Sequence, residues 1–325
     1  MNRIQKSYYN LGTLINLTLF GNPDLQELEQ SHNLIAHYED LFTVNRSHSE
    51  VMQINQAAGQ HPVVVSDAVY SLVKQAILLS QENFGFNALI GPLVKLWKIG
   101  FDDAQVPSES QISQCLQLIN PWDCELDDDK LTVYLKKANM QLDLGAIAKG
   151  YIADRIQDYW QALGKLAGII DLGGNLLLMG NSPLHDNQQW SIGIQSPQSQ
   201  HRKSIAAIHW GPCSVVTSGI YERYLETANG SYHHILNPKT GKPLNNNLAS
   251  VTIFSKHSID GEIETGRLFF AGGPLAGWAN KRSDIYGAVF VTKDKKIILQ
   301  KLPQTAVTLL DDHYELTNSK KEFGF

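Results

Sequence analysis

A short segment near the middle of the chain constrains the fold more than any other. It reads Asp143-Leu-Gly-Ala-Ile-Ala-Lys149-Gly150, where a few extended residues lead through small residues into the apolar periodicity of a helix. Small residues let a ligand approach the backbone, the first helical amides can point at an anion, and Lys149 adds a positive charge. A purely structural interpretation is equally open, in which the glycines only permit a turn and close packing. The segment therefore predicts a strand, a turn and a helix that would suit a phosphate.

Strand and helix patterns alternate on both sides of this segment. Residues 11–20 and 63–65 predict strands, and Ser66-Asp67 is typical of a helix cap. The sequence Asp171-Leu-Gly-Gly-Asn175 has the composition of a tight turn between two strands. Hairpins mixed with separated helices favour an α+β architecture over a regular βαβ winding.

Length and composition narrow the class of protein. The 325 residues are 43% hydrophobic and 18% charged, which supplies a large core and argues against disorder. We predict a single domain over residues 1–325, with an irregular excursion at 101–129 where periodicity is weak. The net charge of -5 and the scattered basic residues argue against a nucleic-acid partner.

Local composition disfavours secretion and membrane insertion. The chain has no apolar run long enough to span a bilayer, and polar residues interrupt the first 20 positions, unlike a signal peptide. The 3 cysteines lack CxxC spacing, which fits reduced thiols better than disulfides or zinc. We expect a cytoplasmic protein with no membrane span.

Two polar segments in the second half carry candidate ligand groups. Thr217-Ser218-Gly219 places two hydroxyls at a strand end, where they either bind a ligand or cap neighbouring backbone. The pair His233-His234 precedes a turn rich in proline and glycine. Adjacent residues of an extended strand face opposite ways, so only one of these histidines can enter a site.

An acidic segment offers oxygen ligands. Asp260, Glu262 and Glu264 precede an apolar run and are typical of a solvated turn, although such oxygens would also suit Mg²⁺ beside substrate phosphates. Common nucleotide motifs are excluded by spacing. The segment at Asp143 is neither G-x-G-x-x-G nor G-x-x-x-x-G-K-[ST], and Thr240-Gly-Lys lacks the upstream glycine of a P-loop.

Taken in order, these segments resemble the FAD:protein FMN transferase (ApbE-type) family over nearly the whole chain. The matching motifs are Leu11-Gly12-Thr13, Ser49-Glu50-Val51 with Ile54-Asn55, Gly85-Phe86-Asn87, Gly91-Pro92-Leu93 through Trp97 to Gly100, the D-x-G-x-x-A-K-G run at Asp143, the D-L-G-G-N turn at Asp171, Trp190 to Pro197, Thr217 to Arg223, and His234 to Pro243. The resemblance implies a two-lobed mixed α/β architecture of the ApbE-like (T-fold-like) type, with the FAD cleft between the lobes.

The resemblance also implies an activity. It is the Mg²⁺-dependent transfer of the FMN moiety of FAD to a Thr or Ser hydroxyl of an acceptor flavoprotein, with release of AMP. Two alternatives stay open. One is an FAD pyrophosphatase that gives FMN and AMP, and the other is a non-catalytic FAD-binding protein.

Residue roles follow from the same resemblance. His234 would be the base that takes the hydroxyl proton, and Lys149 would compensate anionic oxygens. The metal ligands would be the carbonyl of Ala146 and Asp260, with Glu264 or Thr265. The residues expected to contact FAD are Leu11, Gly85, Phe86, Asn87, Asp143, Lys149, Thr217, Ser218, Gly219, His234 and Ile235.

The chain departs from the family pattern at three places. Asn87 and Asn237 stand where the family has aspartates. The family's metal aspartate and threonine are four residues apart, whereas Asp260 and Thr265 are five apart, and matching Thr265 instead would put Gly261 in the aspartate position. Either the turn has absorbed one residue, or Glu264 replaces the threonine, or this branch binds metal poorly.

Overall fold

The computed structural model describes residues 2–198, 203–228 and 230–323. Within these ranges the chain forms two compact units. Unit 1 is drawn from Met1–His37, Lys149–Gly219 and Asn247–Phe325, and unit 2 from Tyr38–Ala148 and Ile220–Asn246. That residues 1–325 act as one domain stays a prediction.

The elements are numbered in chain order. The strands are β1 (Arg3–Asn10), β2 (Thr13–Phe20), β3 (Val63–Val64), β4 (Cys124–Asp127), β5 (Thr132–Leu135), β6 (Gly168–Asp171), β7 (Asn175–Met179), β8 (Trp190–Gln195), β9 (Ser204–Trp210), β10 (Cys213–Gly219), β11 (Tyr224–Thr227), β12 (Gly230–His233), β13 (Leu248–Ser255), β14 (Ile285–Thr292), β15 (Lys296–Gln300), β16 (Val307–Leu309) and β17 (Glu315–Asn318). The helices are α1 (Leu25–Phe42), α2 (Glu50–Gln56), α3 (Asp67–Gln81), α4 (Gly91–Trp97), α5 (Glu109–Leu116), α6 (Gly145–Ala162), α7 (Ser258–Ala271) and α8 (Ser319–Phe323), with 3-10 turns at Pro121–Asp123 and Gln304–Ala306.

Unit 1 is built on a nine-stranded sheet in the order β1-β2-β6-β7-β10-β13-β14-β15-β17. Its strands pair antiparallel except β15 with β17. Every residue of β13 is buried, which explains why that strand reads as a continuous apolar run. Successive residues of β10 face opposite ways. Val215 joins the core under the small sheet β16-β9-β8, whereas Val216 faces α7, so the large sheet is covered on both faces.

Unit 2 combines short capped helices with two small sheets, β3-β5-β4 and β11-β12. The hydroxyls of Ser49, Ser66 and Ser108 accept amides at the starts of α2, α3 and α5, so each helix begins where its capping residue stands. Glu50 in turn accepts hydrogen bonds from both the amide and the hydroxyl of Ser66.

The predicted α+β architecture is confirmed, and three local predictions differ from the structure. Residues 11–20 are not all strand, because Leu11 and Gly12 form the turn of a hairpin whose first strand, β1, was missed. The segment 101–129 is irregular over 101–108 but also holds α5, the 3-10 turn at Pro121–Asp123 and β4. The acidic segment at 260–264 lies inside the continuous helix α7 rather than in a turn. None of the helices in the described ranges is long and apolar enough to cross a membrane, and a cytoplasmic location stays a prediction.

Candidate flavin and metal site

In unit 2, Asp143 starts α6. Its Oδ1 accepts the Gly145 amide at 2.8 Å, while its own amide donates to the carbonyl of Ala88 at 2.8 Å. Burial raises the pKa of the Asp143 carboxyl, and the Gly145 amide together with the charges of Lys95 and Arg223 opposes that rise. Gly145 and Ala146 are exposed in the first turn. The helix therefore presents small, accessible residues beside a fixed carboxylate, as its sequence predicts.

The extended residues before Asp143 are pinned by a buried amide. The Asn55 side chain donates to the Leu142 carbonyl at 3.0 Å and accepts a hydrogen bond from the Leu142 amide at 2.7 Å. It thus satisfies both backbone groups of Leu142, as a neighbouring strand would. A Cβ at Gly91 would lie 2.8 Å from the Gln141 carbonyl oxygen, so α4 approaches this backbone too closely for a side chain. Two motifs that are remote in sequence thus position Asp143.

The side-chain amide of Asn87 both accepts and donates a hydrogen bond, whereas an ionised carboxylate could only accept. Its Oδ1 accepts the Leu89 amide at 2.9 Å and its Nδ2 donates to the Ile119 carbonyl at 2.8 Å. Gly85 just before it has φ +84°, a conformation that favours glycine. The predicted flavin-side loop of Gly85, Phe86 and Asn87 is therefore held by its own hydrogen bonds.

The two adjacent histidines divide into different roles. His233 Nε2 donates to the Leu244 carbonyl at 2.8 Å, and its Nδ1 accepts the Ile235 amide at 3.3 Å, so both ring nitrogens serve the backbone. His234 Nδ1 faces the carbonyl of Arg223 at 3.1 Å. A carbonyl only accepts, so Nδ1 carries the proton of the neutral ring and Nε2 carries the basic lone pair.

The turn after His234 is supported by the segment expected to be irregular. The Gly241 carbonyl accepts the Trp97 indole N–H at 2.8 Å, and a Cβ at Gly241 would lie 2.5 Å from Ile112 of α5. Asn237 Oδ1 accepts the Lys239 amide at 2.8 Å, which is a turn contact that an aspartate would also make. The excursion at 101–129 is therefore part of the frame that holds the histidine turn.

In unit 1, the hairpin turn at Leu11 is strained. Leu11 and Gly12 both have positive φ, +54° and +69°, and Asn10 pairs directly with Thr13. Two positive values in a two-residue loop define a type I′ turn, where leucine is disfavoured. A Cβ at Gly173 would lie 2.3 Å from the Thr13 hydroxyl oxygen, so the D-L-G-G-N turn packs against this hairpin. Strain of this kind often marks a ligand contact.

One face of α7 carries a polar chain. Ser258 donates to Asn175 Oδ1 at 2.7 Å, and Asn175 Nδ2 donates to Glu262 Oε1 at 2.8 Å. Burial raises the pKa of Glu262, opposed by the charge of Lys149 and by the Asn175 hydrogen bond. One turn on, the Thr265 hydroxyl donates to the Glu262 carbonyl at 2.9 Å. Positions 258, 262 and 265 lie on one side of a helix.

The strand β10 meets the same face of α7. Ser218 donates to the Thr265 hydroxyl at 3.0 Å, and the hydroxyls of Thr217 and Thr252 are 2.9 Å apart. Gly219 ends the strand and is buried. The predicted hydroxyl pair at Thr217 and Ser218 therefore holds β10 to its neighbours, and Ser218 is brought to the predicted metal threonine.

A different face of α7 carries an ion-pair cluster, which we call the Arg282 cluster. It consists of Asp260, Glu264, Arg267, Trp278, Arg282 and Asp284. Arg282 lies 3.0 Å from an Asp260 oxygen and 3.5 Å from Glu264 Oε1. Arg267 lies 3.1 Å from the same Glu264 oxygen, and the Trp278 indole donates to Glu264 Oε2 at 2.7 Å. The hydrogen bond from Arg282 is the main reason that the pKa of Asp284 is lowered.

The start of α7 is anchored by α6. Asp154 Oδ1 accepts the Ser258 amide at 2.6 Å and its Oδ2 accepts the Ile259 amide at 3.0 Å. Burial raises the pKa of Asp154 to about 6, opposed by these two amides and by the charges of His257 and Arg155. A carboxylate at a helix N-terminus is favourable, so this contact sets where α7 begins.

The structure therefore sorts the predicted residues. Within unit 1 it brings Lys149, Ser218 and Thr265 to one polar face of α7, and it directs Asp260 and Glu264 to another. Asn175 and Glu262 belong to segments that the sequence singles out, but no role could be predicted for them, because their importance depends on partners that are remote in sequence. Ile235, which was expected beside the cofactor, is half-buried and donates its amide to His233.

Comparison with known proteins identifies the family. The family model described as the ApbE family matches residues 11–290. The chain belongs to the ApbE family. A relative named FAD:protein FMN transferase from Klebsiella pneumoniae is 42% identical over 308 residues, which cover 92% of this chain and 95% of the relative. A Treponema pallidum protein of the same name is 33% identical over 308 residues, which cover 88% of this chain and 84% of that protein.

Solved structures of the ApbE family share the fold. The ApbE protein of Thermotoga maritima superposes with a TM-score of 0.80 at 25% identity, covering 90% of this chain and 95% of that chain. The flavin transferase ApbE from Vibrio cholerae gives a TM-score of 0.76 at 26% identity, covering 90% and 94%. The resemblance based on the motifs is thereby confirmed.

Proposed function

We propose that this protein is an FAD:protein FMN transferase, which moves the FMN half of FAD onto a Thr or Ser hydroxyl of an acceptor flavoprotein. The observation that carries the proposal is the first turn of α6, where Gly145 and Ala146 are exposed beside the fixed carboxylate of Asp143. Small exposed residues at a helix start let a pyrophosphate approach the backbone, and the helix dipole favours its negative charge there. The family model matches residues 11–290, which include this segment, and a relative named for this activity aligns with 92% of the chain.

The residues proposed to contact FAD are those that the resemblance implies. In unit 1, Leu11 contacts the flavin side, Thr217, Ser218 and Gly219 line the ligand path, and Lys149 faces anionic oxygens. In unit 2, the loop at 85–87, Asp143 and Ile235 contact FAD. Lys149 suits its role because an ammonium charge offsets charge that builds up on phosphoryl oxygens.

The chemistry is a phosphoryl-type transfer. The acceptor hydroxyl oxygen forms a bond to the FMN-side phosphorus, the bond to the bridging oxygen breaks, and AMP leaves with that oxygen. His234 takes the hydroxyl proton on Nε2, the nitrogen left basic by the contact of Nδ1 with the Arg223 carbonyl. His233 cannot do this, because both of its ring nitrogens already serve the backbone.

Magnesium, when bound, would neutralise charge on the pyrophosphate. The residues proposed from the sequence to hold it are Ala146, Asp260, Glu264 and Thr265. The Thr265 hydroxyl fits this role because it has a lone pair beyond its bond from Ser218. Glu264 fits poorly because both of its oxygens already meet arginine or indole N–H groups, and Asp260 fits poorly because Arg282 lies 3.0 Å from its Oδ1.

The proposal is tested by incubating the protein with FAD, Mg²⁺ and a panel of domains that each carry one Thr or Ser flavinylation site. We expect covalent flavin fluorescence on an acceptor in denaturing gels, an adduct of FMN mass, and an equal amount of AMP. His234→Asn should lower the rate by about 100-fold or more while FAD still binds. His61→Asn, an exposed histidine of unit 2, is the matched control and should keep full activity.

The alternatives give different products. FMN and AMP without an adduct on any acceptor would favour the pyrophosphatase. FAD binding without any release of AMP at saturating Mg²⁺ would favour a non-catalytic flavin-binding protein, and either result would overturn the transferase.

A further inference from the structure

The carboxylates of Asp260 and Glu264 are committed to a structural cluster. Glu264 is only 3% exposed, and its two oxygens meet two guanidinium groups and an indole N–H. Asp260 faces the same Arg282. A cation on Glu264 would have to displace an arginine or the indole N–H from an almost fully buried carboxylate, and a cation on Asp260 would lie against the positive charge of Arg282.

The backbone that carries Arg282 is itself tied down. The Lys301 ammonium donates to the carbonyls of Ala279, Arg282 and Ile285 at 2.8, 3.1 and 2.7 Å. These contacts hold the backbone at Arg282, and the Asp284 carboxylate also pairs with its guanidinium group. The Arg282 cluster therefore joins α7 to the segment that follows it through ion pairs.

The position four residues before Thr265 has no room for a side chain. A Cβ at Gly261 would lie 2.6 Å from Val216 Cγ2 and 3.0 Å from Val216 Cβ, and 3.3 Å from the Ser255 hydroxyl oxygen. Val216 is buried in the middle of β10 and cannot move aside. A carboxylate spaced four residues from the threonine is thus sterically excluded in this chain.

Glu262 lies one residue further along and points elsewhere. It shares a face of α7 with Thr265, and Lys149 is near enough to oppose the effect of burial on its pKa. Asn175 orients its Oε1. None of the described residues donates a hydrogen bond to Oε2, and Glu262 is three residues from Thr265 on the same side of the helix, whereas Asp260 is five residues away on another side.

We propose that Glu262, and neither Asp260 nor Glu264, supplies the side-chain carboxylate for the divalent cation in this chain, together with the Thr265 hydroxyl. The Arg282 cluster then holds α7 in place and takes no part in metal binding. This inference rests on the proposed function, because a cation is needed there only to accompany the FAD pyrophosphate. It also accounts for the unusual spacing before Thr265. Val216 of β10 leaves no room for a side chain at position 261, and the carboxylate stands at the next residue, Glu262.

The test measures Mn²⁺ binding to the FAD-loaded protein without an acceptor. Binding is monitored by the loss of the electron paramagnetic resonance signal of free Mn²⁺. Glu262→Gln keeps the side-chain volume and should weaken Mn²⁺ binding on the order of tenfold or more. Asp260→Asn is the matched control from the same helix. It should leave Mn²⁺ affinity unchanged and lower the melting temperature, because it weakens the Arg282 cluster.

A second variant separates ligation from a structural role. Glu262→Cys should raise the affinity for Cd²⁺ relative to Mn²⁺ above that of the parent, because a thiolate is a soft ligand. Loss of Mn²⁺ binding in Asp260→Asn but not in Glu262→Gln would overturn the inference, and so would equal losses in both variants.

Because Mn²⁺ binding is measured without turnover, the two proposals can fail separately. A protein that binds Mn²⁺ through Glu262 but flavinylates no acceptor would refute only the transferase. If the protein flavinylates an acceptor and Glu262→Gln leaves the Mn²⁺ affinity unchanged, only the assignment of Glu262 as a ligand is refuted.

Discussion

Replacing Gly150 by alanine tests the closest approach between α6 and α7. A Cβ at Gly150 would lie 2.7 Å from both the Ser258 carbonyl oxygen and the Ile259 Cα, and 2.8 Å from the Ile259 nitrogen. These are backbone atoms, and Asp154 holds both residues through their amides. The new methyl group therefore cannot be accommodated by rotating a side chain, and α7 must shift.

The magnitude follows from two opposing effects. Alanine is favoured over glycine inside a helix by about 1 kcal/mol. Overpacking a tight contact costs about 1–3 kcal/mol, and a contact with fixed backbone belongs near the upper end. We expect Gly150→Ala to lower the free energy of unfolding by about 1–2 kcal/mol.

Gly266 is the matched control because it lies inside α7, and a Cβ added there would meet no atom within 4 Å. Gly266→Ala should benefit from the higher helix propensity of alanine without any steric cost. It should therefore raise the free energy of unfolding by up to about 1 kcal/mol. Urea unfolding followed by circular dichroism measures both, and calorimetry should separate their melting temperatures by about 5 °C or more. Equal stabilisation by the two substitutions would refute the close approach of α6 and α7.

Three further predictions concern single side chains. Leu11→Asn creates the Asn-Gly pair that type I′ turns prefer, so it should relieve about 1 kcal/mol of strain and raise the melting temperature. FAD binding, measured by flavin fluorescence, should weaken. An unchanged melting temperature would contradict the strain at Leu11. Asn87→Asp, which restores the family's residue, removes the donor to the Ile119 carbonyl and should cost about 1–3 kcal/mol in urea unfolding. Burial raises the pKa of Asp154 to about 6, so between about pH 4 and pH 6 the folded state keeps a proton that the unfolded chain has released. Wild-type stability should therefore fall as pH rises through that window relative to Asp154→Asn, and parallel pH profiles would show that the pKa is not raised.

Local signals explain what could be predicted from the sequence. Ser66 was expected to cap α3 and does, because a serine hydroxyl just before a helix can accept an amide of its first turn. Gly164 takes φ +71° just beyond the end of α6 at Ala162, a conformation that favours glycine after a helix. The D-L-G-G-N run was expected to form a tight turn and joins β6 to β7. Each of these depends on neighbours within a few residues.

The acidic segment shows why other predictions failed. Asp260, Glu262 and Glu264 alternate in sequence, which suggested a solvated turn. On a helix each residue advances by about 100°, so Glu262 faces away from the other two. The three carboxylates then meet different partners, Asn175 for one and Arg282 for the others.

The sequence by itself determined the family, the α+β class and the places where helices and turns begin, because these depend on the order of motifs and on local backbone preferences. Only the tertiary structure decided which carboxylate of α7 shares the side of the Thr265 hydroxyl and which ones meet Arg282. That choice depends on Val216, Asn175 and Arg282, which are remote in the chain and reach the helix only after β10, β7 and the loop before β14 have packed against it. The small-residue segment at Asp143 shows both levels, since its composition predicts an anion site and Asn55 and Gly91 hold it in position.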